Sequence, residues 1–228
     1  MQVNSVLMIH GAGGGGWEWD PWRRVFAAAG WRVSTPDLQP AAAGIAATRL
    51  ADYEAQVRDW IREVQPEVVI GASLGGLLAL STYAAAGARL VLVNPLPPAD
   101  WPGVAPLRKT YPDLVPWRTT ASLASTARAL PDADAATWHW AWRRWRDESG
   151  TVMNAASAGV SVTVPDGPVL VVVSEQDEDV PAATSRALAH VLAADVLDCA
   201  GASHVGPLLG RSAPAVAERV LAWLRLRS

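Results

Sequence analysis

Six short apolar runs rich in β-branched residues alternate with longer stretches of helical periodicity, and that alternation most constrains the fold. The runs are Ser5–Ile9, Arg32–Pro36, Val68–Ala72, Leu90–Val93, Val169–Val173 and Asp195–Asp198. Helical patterns cover Pro21–Ala29, Asp52–Val64, Leu74–Ala86, Ala182–Leu192 and Pro214–Leu226. Strands separated by helices need crossover connections, so the expected architecture is α/β: a mostly parallel, doubly wound sheet of about six strands. Asp20 followed by Pro21 reads as an N-cap with proline at the first helical position. Leu96–Val164 breaks the rhythm. Rich in proline, tryptophan and arginine, it reads as a largely helical insertion, leaving residues 1–95 and 165–228 as a core and 96–164 as a tryptophan-rich cap.

Half of the 228 residues are hydrophobic and 18% are charged, the balance of a folded chain able to bury a large core. A formal charge of −3 with no basic run argues against a nucleic-acid partner. Cys199 is alone, which excludes an intramolecular disulfide and fits a reducing compartment. The opening "MQVNSVLMIHG" has no basic n-region or small-residue cleavage site, and no apolar stretch is long enough to span a bilayer. The expectation is a cytoplasmic protein without a membrane partner.

The segment "MIHGAGGGGW" places His10 to Gly16 directly after the first strand. It satisfies G-x-G-x-x-G, and Asp37 follows at about the distance of a ribose-binding acid, so a dinucleotide site is one reading. That reading needs a helix to open at the last glycine, because pyrophosphate sits on helix N-terminal amides. Here "WEWDPW" intervenes and delays the helix to Pro21. A competing reading is an oxyanion hole, in which a bare backbone N–H near Ala12 or Gly13 faces a developing negative oxygen. A loop that merely needs positive φ is a third, and the glycine run by itself does not separate them.

Gly71-Ala72-Ser73-Leu74-Gly75 matches G-x-S-x-G. A buried-strand pattern precedes it and the small-residue helical stretch "LGGLLALSTYAAAG" comes after it. A serine on so sharp a turn adopts a strained backbone, projects above the carboxyl edge of the sheet, and needs tiny neighbours so that strand and helix can cross closely. Leu74 then offers an oxyanion N–H. Serine is a poor nucleophile without a base in reach. Of the four histidines, His139 and His190 lie in helical patterns and read as surface residues, while His10 reads as a support for the glycine loop. His204, in "CAGASHVGPLL" after the last strand, shares the sheet edge with Ser73 and is the base. Its tautomer needs an acceptor. "VLVVVSEQDEDVP" offers Glu175, Asp177, Glu178 and Asp179 where a solvated turn is the plain alternative; Asp177 precedes Pro181 in a turn leading into a helix. The order Ser…Asp…His, each just beyond a parallel strand, is harder to obtain by accident than any of its parts.

With these residues the chain resembles the α/β-hydrolase fold superfamily over nearly everything outside Leu96–Val164. "HGAGGGGWEWDPW", "GWRVSTPDL", "GASLGG" and "GASHVGPLL" are similar to the small methylesterase and hydroxynitrile-lyase branch. The resemblance implies Ser73 as nucleophile, Asp177 as acid, His204 as base, oxyanion amides from Ala12 and Leu74, and Leu96–Val164 as the cap shaping the pocket. Two departures stand out. Val205 comes after His204 where such lyases carry a lysine, so the cation that would hold cyanide is missing, and Ala72 replaces the usual histidine before the serine.

"DAATWHWAWRRWRDES" puts Trp138, Trp142 and Trp145 at helical spacing on one face. Such a stripe packs on a core or walls a pocket for a large aromatic acyl group, with Trp17 opposite. The expected function is serine-dependent cleavage of a small-molecule ester or thioester, without metal or cofactor. Acyl transfer from a carrier-bound aromatic thioester to another acceptor, as in natural-product tailoring, is the alternative. A non-catalytic binding protein would keep the pocket but need no complete triad.

Overall fold

Successive residues of a strand point to opposite sides of its sheet, and in this chain both sides are apolar. The computed structural model describes residues 4–83, 89–99 and 101–227. Its strands are β1 (Ser5–Ile9), β2 (Arg32–Ser34), β3 (Val68–Ala72), β4 (Arg89–Val93), β5 (Leu114–Val115), β6 (Glu148–Ser149), β7 (Val169–Ser174) and β8 (Asp195–Cys199). Six form one parallel sheet in the order β2-β1-β3-β4-β7-β8, while β5 and β6 pair antiparallel apart from it. In β1, Val6 and Met8 face one core and Leu7 and Ile9 the other; all four are fully buried. The central strands β3, β4 and β7 divide in the same way, which is why their sequences read as continuous apolar runs rather than alternating ones.

The helices are α1 (Asp20–Ala28), α2 (Leu50–Val64), α3 (Leu74–Tyr83), α4 (Trp117–Thr120), α5 (Leu123–Ala129), α6 (Ala135–Trp142), α7 (Gly150–Ala158), α8 (Ala182–Val191), α9 (Gly206–Leu209) and α10 (Ala213–Leu226). Trp22 and Phe26 of α1 join Val220 and Leu224 of α10 on the Val6 face, while α2, α3 and α8 cover the Leu7 face. Burying one such large apolar side chain contributes about 1.5–3 kcal/mol, so the two layers supply most of the stabilisation. Between β4 and β7 the chain leaves the sheet and forms α4 to α7 with the β5–β6 pair. Among the described residues no helix is long and apolar enough to cross a membrane.

Several boundaries differ from the sequence reading. β2 stops at Ser34, and beyond it Asp37 reaches back to the glycine loop. α1 begins at Asp20 with Trp19 at its N-cap, and the Asp20 carboxylate pairs with Arg23 at 2.6 Å instead of capping the backbone. α2 starts at Leu50, where Asp52 Oδ2 accepts from Arg49 N at 2.7 Å. The expected end of the third helix at Ala86 lies outside the described residues.

Candidate active site

The strand order reverses between β1 and β3: β1 is flanked on one side by β2, whereas β3 leads away to β4 and β7. Such a switch point opens a crevice beyond the carboxyl ends of the strands. The glycine run continues from β1 into this crevice, and Ser73 sits just past β3.

Ser73 has φ +53, a left-handed conformation that costs a residue with a side chain about 1–3 kcal/mol. The surroundings hold it there. Its N–H donates to Val93 O at 2.9 Å, and its carbonyl accepts from Gly76, Leu77 and Leu96 at 3.0, 3.2 and 3.1 Å. Close approach demands the glycines: a Cβ on Gly71 would overlap the Gly75 carbonyl, and one on Gly75 would overlap the carbonyls of Ile9 and His10. Ser73 is left half-buried on the wall of a cavity of about 450 Å³.

His204 lies on the same cavity wall, in the loop between β8 and α9. Its Nδ1 is 2.7 Å from Asp177 Oδ2. The other oxygen, Oδ1, accepts from the amides of Asp179 and Val180, both at 2.8 Å. The Asp177 side chain is 1% exposed, so its orientation is fixed; Glu175, Glu178 and Asp179 are exposed, and Asp179 faces Lys109 at 3.4 Å. Two further residues hold the histidine loop. Asn94, at the end of β4, donates from Nδ2 to His204 O at 2.7 Å and Ser174 Oγ at 2.8 Å. Asp132 accepts from Ser203 N at 3.2 Å and Ser203 Oγ at 2.7 Å, its carboxylate filling the space over Gly206 and Gly210.

The glycine loop is bonded to protein groups on all sides. Gly13, at φ +67, donates to Glu148 Oε2 at 3.0 Å and accepts from Arg146 N at 2.7 Å. Glu148 Oε1 in turn accepts from Tyr53 Oη and Ser149 N, both at 2.8 Å. Gly16 N donates to Asp37 Oδ1 at 2.6 Å. Beneath the loop, His10 Nε2 accepts from Leu38 N at 2.9 Å and Nδ1 pairs with Gly11 O at 2.8 Å, so the ring is neutral with its proton on Nδ1. Burial lowers the His10 pKa to about 4, against the hydrogen bond to Gly11. These bonds overturn the dinucleotide reading. Asp37 is engaged by the loop itself, and the space over Gly14 and Gly16 is filled by Glu18 and the Thr35 carbonyl.

A model of the α/β hydrolase family matches residues 6–219. The chain belongs to the α/β hydrolase family. No curated protein matches its sequence. Among solved structures the hydrolase is similar to polyneuridine aldehyde esterase, with 16% identity over 96% of this chain and 100% of that one and a TM-score of 0.70. A thermophilic esterase from Thermogutta terrifontis is 17% identical over 99% of this chain and 91% of its own, with a TM-score of 0.71. The thioesterase domain from the curacin biosynthetic pathway is 19% identical over 96% of this chain and 92% of its own, with a TM-score of 0.68. At such identities the likeness is one of fold.

The tryptophans of the hydrolase fall differently from the expected wall. α6 ends at Trp142, so Trp145 lies beyond the helical stripe and donates from its indole to Thr126 Oγ1 at 3.0 Å. Trp138 donates to Leu130 O at 2.7 Å, and Trp142, 37% exposed, donates to Ala121 O at 3.0 Å on a separate surface cleft. Trp17 packs edge-on against Trp140 and Trp145, ring centroids 4.9 and 5.2 Å away. None of Trp17, Trp138 and Trp142 is on the Ser73 cavity wall; Trp117 and Trp145 are. Sequence reasoning also missed Glu18, Asn94, Asp132 and Glu148. Only Glu18 carried a signal, as an acid set between two tryptophans in "GWEWD".

Proposed function

We propose that this hydrolase cleaves an ester or thioester of a bulky, aromatic acyl group through a Ser73-His204-Asp177 triad and an acyl-enzyme. The observation that carries the reading is the 2.7 Å His204–Asp177 bond on a cavity that Ser73 also faces. With Nδ1–H donated to Asp177, His204 Nε2 is the acceptor for the Ser73 hydroxyl proton. Oγ bonds the scissile carbon and the carbonyl π pair moves onto its oxygen. That oxyanion lies against the amides of Ala12 and Leu74. Gly13 N–H donates to Glu148, which leaves Ala12 as the donor from the glycine loop, and Leu74 opens α3, whose leading N–H groups have no intrahelical acceptor. Each donor of this kind lowers the barrier by about 2.7–4 kcal/mol. Collapse expels the alcohol or thiol, protonated by the imidazolium. Water, deprotonated by the same histidine, then releases the acid and restores Ser73.

The acyl class rests on the cavity walls. Tyr111, Trp117, Trp145 and Met153, all from the 96–164 insertion, supply flat and deformable apolar surface. A volume of about 450 Å³ suits a ligand larger than a simple acetyl ester. This supports the insertion as a cap that shapes the acyl pocket, with Trp17 supporting Trp145 from behind.

A fluorophosphonate probe located by peptide mass spectrometry tests the reading. Labelling of Ser73, lost in Ser73→Ala and strongly slowed in His204→Ala, is expected; labelling elsewhere, or none, overturns it. A carrier-bound donor and a non-water acceptor would use the same first half-reaction. Adding amine, alcohol or thiol acceptors to a trapped acyl-enzyme separates the two, since a new conjugate marks transfer and free acid marks hydrolysis.

A further inference from the structure

The glycine loop closes around a carboxyl group that the triad does not use. Glu18 lies in the 3-10 turn Gly16–Trp19 and is 2% exposed. Its carboxyl rests over Gly14, occupying the place where a Cβ would stand, so the loop admits this acid only because residue 14 has no side chain. Glu18 is also on the wall of the Ser73 cavity, which Gly11 and Ala12 line too. Its Oε2 is occluded and has no hydrogen-bond partner among the described residues.

A buried carboxylate without a cation is strongly disfavoured, whereas a neutral carboxylic acid needs only an acceptor for its one proton. Arg146, the cation acting on Glu18, donates to Leu38 O at 2.6 Å and faces Asp37 at 3.6 Å. Burial accordingly raises the Glu18 pKa to about 8, with backbone hydrogen bonding from Gly11 and Gly15 opposing, Asp37 raising it further and Arg146 lowering it. At neutral pH the side chain is therefore a hydrogen-bond donor beside the loop that carries the Ala12 amide. Among the described residues no side chain is hydrogen-bonded to its Oε2.

We propose that Glu18 works as a neutral carboxylic acid that donates a hydrogen bond to a second, uncharged oxygen of the substrate, close to the carbonyl that Ser73 attacks, and so selects esters bearing such an ether or carbonyl oxygen. This rests on the Ser73 reading above and names the class of acyl group that the same cavity prefers. No proton is transferred in this role; the acid orients the substrate.

The test compares two aryl esters of nearly equal shape, p-nitrophenyl methoxyacetate and p-nitrophenyl butyrate, as a ratio of kcat/KM values. Intrinsic reactivity differs between them but is the same for every variant, so only changes in the ratio matter. Glu18→Gln keeps an N–H donor that does not titrate; Glu18→Met keeps the size and removes the donor. The ratio is expected to fall roughly tenfold in Glu18→Met, the worth of one buried hydrogen bond, and to be retained in Glu18→Gln. In the wild type the ratio is expected to fall as pH rises through about 8, while in Glu18→Gln it stays flat. The charged groups acting on Glu18 from other elements are Asp37 and Arg146, and Lys109, Tyr111, Asp179 and His204 share the cavity wall. All are present in both proteins, so a difference between the two profiles belongs to Glu18. Fluorophosphonate labelling of Ser73 is monitored in each variant. Intact labelling with an unchanged ratio in Glu18→Met, or with matching pH profiles for wild type and Glu18→Gln, overturns the Glu18 role alone. Absence of Ser73 labelling in the wild type overturns both.

Discussion

Asp132 of the insertion accepts two hydrogen bonds from Ser203, at 2.7 Å to Oγ and 3.2 Å to the amide, and so anchors the residue before His204. The carboxylate lies where Cβ atoms on Gly206 and Gly210 would be, which ties the insertion to the loop that carries the histidine. Asp132→Ala removes both acceptors. The expected result is a loss of roughly 10–100-fold in kcat at nearly unchanged KM, as a base displaced by about 1 Å loses alignment. Steady-state kinetics on an aryl ester, with circular dichroism to verify the fold, measures it.

Asp177 and Asp179 are two residues apart in one turn yet differ in every relevant respect. Asp177 is buried and bonded to His204; Asp179 is exposed and faces Lys109. Asp177→Asn presents an amide where His204 needs an acceptor, and kcat should fall by about 10⁴. Asp179→Asn should change kcat by less than about threefold, since an exposed ion pair contributes little. Equal damage at both positions would contradict the assignment.

Gly75→Ala tests the close crossing of strand and helix. The new methyl would overlap the carbonyls of Ile9 and His10, which are backbone atoms and cannot rotate aside. A destabilisation of about 1–3 kcal/mol or more is expected from such overpacking, together with loss of probe reactivity at Ser73. Urea unfolding monitored by tryptophan fluorescence reports the first, and labelling reports the second.

Glu18 and His10 tilt stability with pH in opposite directions. The folded Glu18 keeps its proton up to about 8 while the unfolded group loses it near 4.5, so stability is fully present below 4.5 and falls as pH rises through that window. His10 has its pKa lowered from 6.5 to about 4, so the stability it confers is present above 6.5 and falls as pH drops toward 4. Between pH 6.5 and 8 Glu18 acts without His10, and about 2 kcal/mol should be lost. Glu18→Gln should remove that slope, narrowing the fall in Tm over this range by several degrees in thermal melts at matched ionic strength.

The parallel sheet was legible because its code is local: the central strands β1, β3, β4 and β7 are short apolar runs buried on both faces. The elbow was legible for the same reason, since Gly71, Ser73 and Gly75 meet their constraints within a few residues of chain. The pairing of His204 with Asp177 could be anticipated because each lies in the loop just past the carboxyl end of a parallel strand. The bonds that hold the loops were not legible, because they join residues far apart in sequence. Gly13 to Glu148 spans 135 positions and Ser203 to Asp132 spans 71, and no periodicity links such pairs. The tryptophan stripe misled for a physical reason. Helical spacing continues through Trp145 in sequence, but the helix stops at Trp142, and each indole N–H then settles on the acceptor it can reach.

The most direct measurement is a rapid acid quench of the protein during turnover of an aromatic aryl ester, with the adduct then located by peptide mass spectrometry. The peptide containing residue 73 is expected to gain the mass of the acyl group in the wild type, and Ser73→Ala to show neither adduct nor turnover. Undiminished turnover in Ser73→Ala, or an adduct on a different peptide, would contradict an acyl-enzyme at Ser73.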